Sequence, residues 1–266
     1  MKLFFAGDVV GKPGRDALSR GLDRVRQQTR LDFVVANVEN SAGGFGVTPA
    51  IADQFLEAGI DVLTSGNHIW DKKEILPYLA DERRLLRPLN YPSSLPGSGS
   101  YVGRTPDGVP VAVLNLQGRV FMPTIDCPFQ AADREVPRLA KEAKVILVDM
   151  HCDATSEKNA MGWYLDGRVS AVVGTHTHVP TADERVLTQG TAYITDVGMC
   201  GPFDSVIGIE KQSAFARFLT AVPTRFETAK GDPWMNAVII DVDESTGKAR
   251  SIERIQFKDG ALATWS

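Results

Sequence analysis

The chain has 266 residues, with 43% hydrophobic and 23% charged side chains, which is ordinary for a soluble protein and enough for one large α/β domain with a substantial core. A net charge of −4 leaves no basic footprint for long-range binding to duplex nucleic acid, and no run approaches the roughly 20 apolar residues of a membrane helix. The apolar start at residues 3–6 is too short for a signal-peptide core, and the widely spaced Cys127, Cys152 and Cys200 form no disulfide framework, so a reducing cytoplasm is the expected location.

Residues 3–6 read as a first buried strand, ending at Gly7-Asp8. After a loop with Gly11, Pro13 and Gly14, the helical spacing of Leu18, Leu22 and Val25 predicts a helix over 15–28. A second strand over 32–38 ends at Glu39-Asn40, and the glycine-rich stretch 41–47 is a loop. Thr48 is an N-cap with Pro49 at the first helical position, for a helix to about residue 58. The third strand, 62–64, ends at Gly66-Asn67-His68. Strand, loop and helix alternate here, which argues for a mainly parallel inner sheet whose polar strand ends meet at one edge.

Residues 71–87 predict a charged helical region, and 88–99, with Pro88, Pro92 and Pro96, irregular chain. Strands at 101–104 and 111–116 flank a turn at Pro106-Asp107-Gly108, and 117–130 is a loop. A helix over 131–143 leads into strand 145–150 and His151. A helix over 156–165 leads into strand 169–173 and then Gly174-Thr175-His176-Thr177-His178. A hairpin around Gln189-Gly190 pairs 185–187 with 192–194, residues 198–202 turn, and 210–219 form a helix. Strands 237–242 and 252–257 close the chain around a turn at 244–247. No repeat or linker divides it, so residues 1–266 are expected to form a single α/β domain, two β-sheets in one sandwich with helices on the outer faces.

All four histidines, His68, His151, His176 and His178, fall at strand ends. In an extended strand end, residues i and i+2 point the same way, so His176 and His178 are expected to face one small volume. The strand-end donors are then Asp8, Glu39, Asn40, Asn67, His68, His151, His176 and His178. Carboxylate, amide oxygen and imidazole together suit Mn, Fe, Zn or Mg rather than a soft thiolate site. One metal takes about four to six donors, so this set suggests two, with Glu39 able to bridge them. Two cations about 3.5–4 Å apart can polarise a phosphoryl group, make hydroxide from a bound water near neutral pH and stabilise the leaving oxygen. Phosphoester hydrolysis uses all three effects. Singly, Asp8 is as well read as a helix cap, Asn67 as a turn residue and His151 as a satisfied core histidine; their conjunction at one sheet edge favours a metal centre. Cys152, beside His151 in a strand, is expected to point away into the core. Phe121, Met122, Phe129, Met199 and Phe203 either wall the cleft or anchor their loops.

Gly7-Asp8, Glu39-Asn40, Gly66-Asn67-His68, His151 and Gly174-Thr175-His176-Thr177-His178, in this order, resemble the motifs of the calcineurin-like metallophosphoesterases. There are two departures. Val10 stands where that family carries a histidine, and Glu39-Asn40 stands where it carries an aspartate; Asn40 could supply the donor that Val10 cannot. The variant pattern, with Gly7-Asp8-Val9-Val10-Gly11 and the later Asp196-Val197-Gly198-Met199, is similar to the YmdB-type subfamily over nearly the full chain. The resemblance implies a four-layer α-β-β-α sandwich of two mixed sheets. It also implies a bacterial phosphodiesterase acting on 2′,3′-cyclic nucleotides (2′,3′-cAMP or cGMP to 3′-nucleotides) with two metals, iron or manganese, magnesium and zinc being the other options.

Carried over by position, Asp8, Asn40 and His178 hold the first metal, Asn67, His151 and His176 the second, and Glu39 bridges. His68 is not a ligand but the general acid for the departing ribose oxygen. The expected partner is a small cyclic nucleotide, with no duplex nucleic acid and no membrane. The Gly- and Pro-containing segment 198–208 and the loop aromatics hint at a homo-oligomer contact. Competing readings are a phosphomonoesterase or nucleotidase on the same site, and a metal-dependent regulatory protein controlling an RNA-processing partner. A spare His68 beside the donors favours catalysis.

Overall fold

The computed structural model describes residues 1–265. It opens with β1 (Lys2–Ala6), the short β2 (Asp8–Val9), α1 (Gly11–Gln28), β3 (Phe33–Asn37), α2 (Pro49–Glu57) and β4 (Val62–Thr64). β1, β3 and β4 pair in parallel, as helical crossovers require. A 3₁₀ turn, Asn67–Trp70, and α3 (Ile75–Asp81) follow. The second sheet is built from β5 (Ser100–Arg104), β6 (Pro110–Gln117), α4 (Pro128–Leu139), β7 (Val145–His151), α5 (Thr155–Tyr164), β8 (Ala171–Thr175), β9 (Arg185–Val186) and β10 (Ala192–Ile194). Its strand order is β5-β6-β7-β8-β10-β9. The chain then returns through β11 (Met199–Pro202), α6 (Lys211–Thr220), β12 (Pro233–Val242), β13 (Ala249–Lys258) and β14 (Ala261–Trp265) to the first sheet, whose order is β14-β13-β12-β1-β3-β4.

The two sheets face each other between helices, because alternate residues of each strand feed different apolar layers. In β1, Leu3 and Phe5 enter the middle layer with Val35 and Val238 of the same sheet and Val113, Leu147 and Val173 of the other. Phe4 and Ala6 point outward, under Leu18 and Leu22 of α1 and Phe55 of α2. On the far side, Leu114, Ile146 and Val148 are covered by Val136 and Leu139 of α4 and Met161 of α5. This is the expected four-layer α-β-β-α arrangement of two mixed sheets.

Several elements differ from the sequence expectation. α1 starts at Gly11 rather than at residue 15, since Pro13 in a first helical turn has no N–H to lose. Only 75–81 of the charged stretch 71–87 forms the α3 helix. Leu85 and Leu86 are buried, and the Leu86 N–H donates to the Leu63 carbonyl at 2.8 Å, so that end of the stretch extends the edge of the first sheet. Residues 199–202 form the buried strand β11 instead of a turn, pairing in parallel with β2 and antiparallel with β12. Among the exposed apolar side chains after it are Ile207, then Phe215, Phe218 and Leu219 of α6, and Val222 just beyond. No helix among the described residues is long and apolar enough to cross a membrane.

Candidate active site

The carboxyl ends of β1, β3, β4, β7 and β8 meet where the two sheets come together. Asp8 lies in β2, directly after β1; Glu39 and Asn40 follow β3; Asn67 and His68 open the 3₁₀ turn after β4; His151 ends β7; His176 and His178 follow β8. Asp8, Glu39, Asn40 and His151 are buried. The approach between the sheets is close: a Cβ on Gly66 would lie 2.0 Å from His151 Cδ2, so only glycine lets the β4 turn reach the imidazole.

His151 is the centre of the first group. Its Nε2 is 3.0 Å from Glu39 Oε1, 3.0 Å from His176 Nδ1 and 3.2 Å from Asn67 Oδ1. Its Nδ1 is 2.9 Å from Thr175 Oγ1, and the Thr175 hydroxyl donates its only proton to Asp149 Oδ1 at 2.7 Å. Thr175 Oγ1 therefore accepts from His151 Nδ1–H, which leaves Nε2 as the nitrogen at which a cation would take the place of a proton. Carboxylate, amide and imidazole lone pairs converge there, an arrangement that a cation satisfies. Proton affinities show the same crowding. Burial alone would lower the His151 imidazole, yet Glu39, Asp8 and Asp149 raise it to about 9. Burial opposes ionisation of Glu39, but His151 and the His68 N–H hold it at about 2. Burial, then repulsion from His151, pushes His176 down to about 3, so its ring stays neutral.

A second group adjoins it. Asp8 Oδ2 accepts the His176 backbone N–H at 3.1 Å, while the buried Oδ1 has no hydrogen-bond partner. Burial raises the Asp8 carboxyl against the opposing pull of His178 and His151, which places both rings within its field. Asn40 Nδ2 donates to the Gly44 carbonyl at 2.9 Å, fixing the amide so that its buried Oδ1 is left without a partner. His178 Nδ1 is 2.7 Å from the Ile207 carbonyl oxygen, so Nδ1 carries the proton and Nε2 the lone pair. Two buried oxygens without a hydrogen bond, the Asp8 one 3.8 Å from His151 Nδ1, beside an imidazole lone pair are a donor set that a cation satisfies. The residues present fit a pair of metal ions.

The HxH geometry arises differently from the extended-strand expectation. β8 stops at Thr175, and His176 and His178 both have positive φ, 101° and 66°. Left-handed bends, not strand alternation, turn the two rings toward one cavity. Such bends are strained in non-glycine residues and must be held from outside. Thr177 does this: its N–H and hydroxyl both donate to Asp196 Oδ2, at 3.1 and 2.8 Å. Lys158 Nζ lies 2.6 Å from the same oxygen, in an ion pair whose side chains are each 1% exposed. Asp196 Oδ1 accepts the Gly198 N–H at 2.8 Å.

A cavity of about 140 Å³ opens onto the donors, lined by Glu39, Asn40, His68, His176 and His178 together with Val10, Phe45, Ile207, Ile209, Glu227 and Thr228. His68 stands apart from the His151 cluster. Its Nδ1 is 2.8 Å from Asp71 Oδ2, its ring meets Phe45 edge-on at 5.0 Å, and its N–H donates to Glu39 Oε2 at 2.9 Å. None of Phe121, Met122, Phe129, Met199 and Phe203, for which wall and loop anchor were both open, lines this cavity. Phe121 is 88% exposed, Phe129 packs on Tyr164, Phe203 stacks on Trp234, and Met199 is buried. Phe45 was detectable, since it sits between Glu39 and His68 in the glycine-rich loop; Glu227 and Thr228, in irregular chain, carried no signal. Cys152 is buried in the outer core as expected, and burial with help from Glu157 pushes its thiol up to about 12.

The profile described as YmdB-like protein matches residues 4–255. The chain belongs to the YmdB-like family. Over 260 residues this YmdB-like chain is 48% identical to the 2′,3′-cyclic-nucleotide 2′-phosphodiesterase of Bacillus subtilis, covering 97% of this chain and 98% of that one. Among solved structures it is similar to a hypothetical protein from Thermus thermophilus, with a TM-score of 0.91, 41% identity and coverage of 97% and 99%. It is also similar to a novel phosphatase from Mycoplasma pneumoniae, with a TM-score of 0.90, 36% identity and coverage of 97% and 93%. The four-layer sandwich is thus the fold of the calcineurin-like metallophosphoesterases.

Proposed function

We propose that this chain is a two-metal phosphodiesterase that opens nucleoside 2′,3′-cyclic phosphates at the 2′-ester and releases 3′-nucleotides. The observation that carries the reading is the convergence of Glu39 Oε1, Asn67 Oδ1 and His176 Nδ1 on His151 Nε2 at 3.0–3.2 Å, beside the partnerless oxygens of Asp8 and Asn40. In this assignment Asp8, Asn40 and His178 hold one cation, Asn67, His151 and His176 the other, and Glu39 reaches both. Oxygen and imidazole donors without thiolate suit iron or manganese, the metals the family resemblance implies, and three free cysteines fit a cytoplasmic location. When bound, the ions supply positive charge against the phosphoryl oxygens and lower the proton affinity of a water.

The remaining work belongs to the chain's own residues. A ribose 2′-alkoxide is a poor leaving group until it is protonated, and His68 is the cavity-lining acid without a place among the donors. Asp71 occupies its Nδ1, so Nε2 is the nitrogen left to give a proton. Phe45, Ile207 and Ile209 give the cavity an apolar side against which a base or ribose can pack.

Purified protein assayed with manganese against 2′,3′-cAMP, 3′,5′-cAMP, 5′-AMP and a p-nitrophenyl phosphodiester tests the reading. Turnover of 2′,3′-cAMP should dominate, and dominance of 5′-AMP would make the protein a phosphomonoesterase. Activity that survives in the Asp8→Asn/Glu39→Gln double variant would belong to a contaminant and remove the enzyme reading.

A further inference from the structure

We propose that a second, basic cavity beside the catalytic one takes the upstream phosphate of a short single-stranded RNA whose 3′ end carries the cyclic phosphate. This rests on the phosphodiesterase reading and deepens it, by naming RNA ends rather than free cyclic mononucleotides as the substrate class.

A cavity of about 430 Å³ has Lys12, Arg20 and Lys230 on its walls against the single carboxylate of Asp16. Thr228 lines both this cavity and the catalytic one. The partition between them is thin there: a Cβ on Gly44 would lie 2.7 Å from Thr228 Oγ1, and that hydroxyl is buried with no hydrogen-bond partner. Lys12 Nζ engages Asp16 at 2.6 Å. Arg20 donates its Nε only to the Asp16 carbonyl, at 3.3 Å, so Arg20 and Lys230 have no acidic partner among the described residues. Two cations without a carboxylate partner on one cavity wall at the edge of the catalytic cleft, in a chain of net charge −4, form a local positive patch that attracts an anion. Pro13, Ala229 and Pro233 supply apolar wall beside these charges, which suits a nucleoside as well as its phosphate.

A 2′,3′-cyclic mononucleotide has a neutral 5′-hydroxyl and nothing to place among these cations. An RNA strand has a phosphodiester there. Such strands arise whenever RNA is cut by its own 2′-hydroxyl, because that attack expels the 5′-oxygen of the next nucleotide and leaves the phosphate bridging O2′ and O3′. Opening then adds water to phosphorus, breaks the P–O2′ bond, delivers a proton to O2′ and leaves a 3′-phosphate. Contact with one or two phosphates needs only this local patch and is compatible with the acidic balance of the whole chain.

The test compares adenylyl-(3′→5′)-adenosine 2′,3′-cyclic phosphate with 2′,3′-cAMP for kcat/KM, and their 3′-phosphate products for binding by calorimetry. Both are run on the parent protein and on Arg20→Ala/Lys230→Ala. The dinucleotide should exceed the mononucleotide by about fivefold or more in both measurements, the size expected of two exposed cations on one phosphate. That excess should vanish in the double variant, with 2′,3′-cAMP turnover unchanged, and should weaken with salt at a log–log slope of about −0.7 per phosphate contacted. Equal values for the two substrates in the parent, or an excess that survives the double variant, overturns the proposal. If neither substrate turns over but the dinucleotide product still binds more tightly through Arg20 and Lys230, the phosphodiesterase reading fails and the basic subsite stands.

Discussion

Thr175 sets the chemistry of His151 without touching any of the atoms that His151 Nε2 faces. Because its proton goes to Asp149, it can only accept, from His151 Nδ1–H and from Asn37 Nδ2 at 3.4 Å, and the imidazole is held with Nε2 toward Glu39, Asn67 and His176. Thr175→Val should keep the fold at a cost of about 1–3 kcal/mol, since Asp149 loses a donor, and should weaken manganese binding about 10- to 100-fold by calorimetric titration. His68→Ala separates a different role. It should lower turnover of 2′,3′-cAMP by about 10²- to 10⁴-fold while metal content stays at the parent level. It should cost much less against a p-nitrophenyl diester, whose leaving group needs no proton. Loss of metal in step with activity would instead make His68 a ligand. At this scale the gathering of Asp8, Glu39, Asn40, Asn67, His151, His176 and His178 at one sheet edge was legible, because each sits at or just after a strand end. It was silent about Thr175 and Asp149, whose importance comes from hydrogen bonds that close only when β7 and β8 are paired.

At the scale of elements, the loop 176–178 depends on a buried ion pair formed by residues from α5 and from the turn after β10. Lys158→Met would leave Asp196 charged and buried, so a loss of about 3–5 kcal/mol is expected in urea unfolding. Lys158→Met/Asp196→Leu should regain most of that stability. It still leaves Thr177 unanchored, and its activity should stay low; full activity in the double variant would show that the loop holds itself. α2 offers a simpler case. Thr48 accepts from the Ile51 N–H as the N-cap ahead of Pro49, and Thr48→Ala should cost about 1 kcal/mol by the same measurement. That cap was readable because capping chemistry is local. β11 was not: Gly198 to Pro202 looks like a turn, and only the distant β2 and β12 make it a strand. The His-x-His bend failed for the same reason, since positive φ at two histidines has no local signature and is imposed by Asp196.

For the whole molecule, the middle layer joins residues of both sheets, and Phe5, Val113 and Val238 belong to one apolar cluster. We propose that the chain unfolds as a single cooperative unit, because neither sheet can keep its inner face dry without the other. Unfolding in urea followed by tryptophan fluorescence and by far-UV circular dichroism should give coincident transitions; two separated midpoints would divide the chain into domains. The layered plan was legible from the alternation of strands and helices through residue 175. Completion of the first sheet by β12, β13 and β14 was less so, because antiparallel additions at an edge carry no crossover signature.

The placement of β1 between β3 and β12 has a consequence for synthesis. Lys2 faces Asp241 across that pairing, and Asp8 faces Met199. On a ribosome β1 emerges well before β12, with which it pairs, and has one of its edges open in the meantime. Asp8 acquires its pairing partner only after every histidine has been added. A chain stopped before β11 and β12 is therefore expected to be inert rather than partly active, because β1 and Asp8 would lack the strands they pair with.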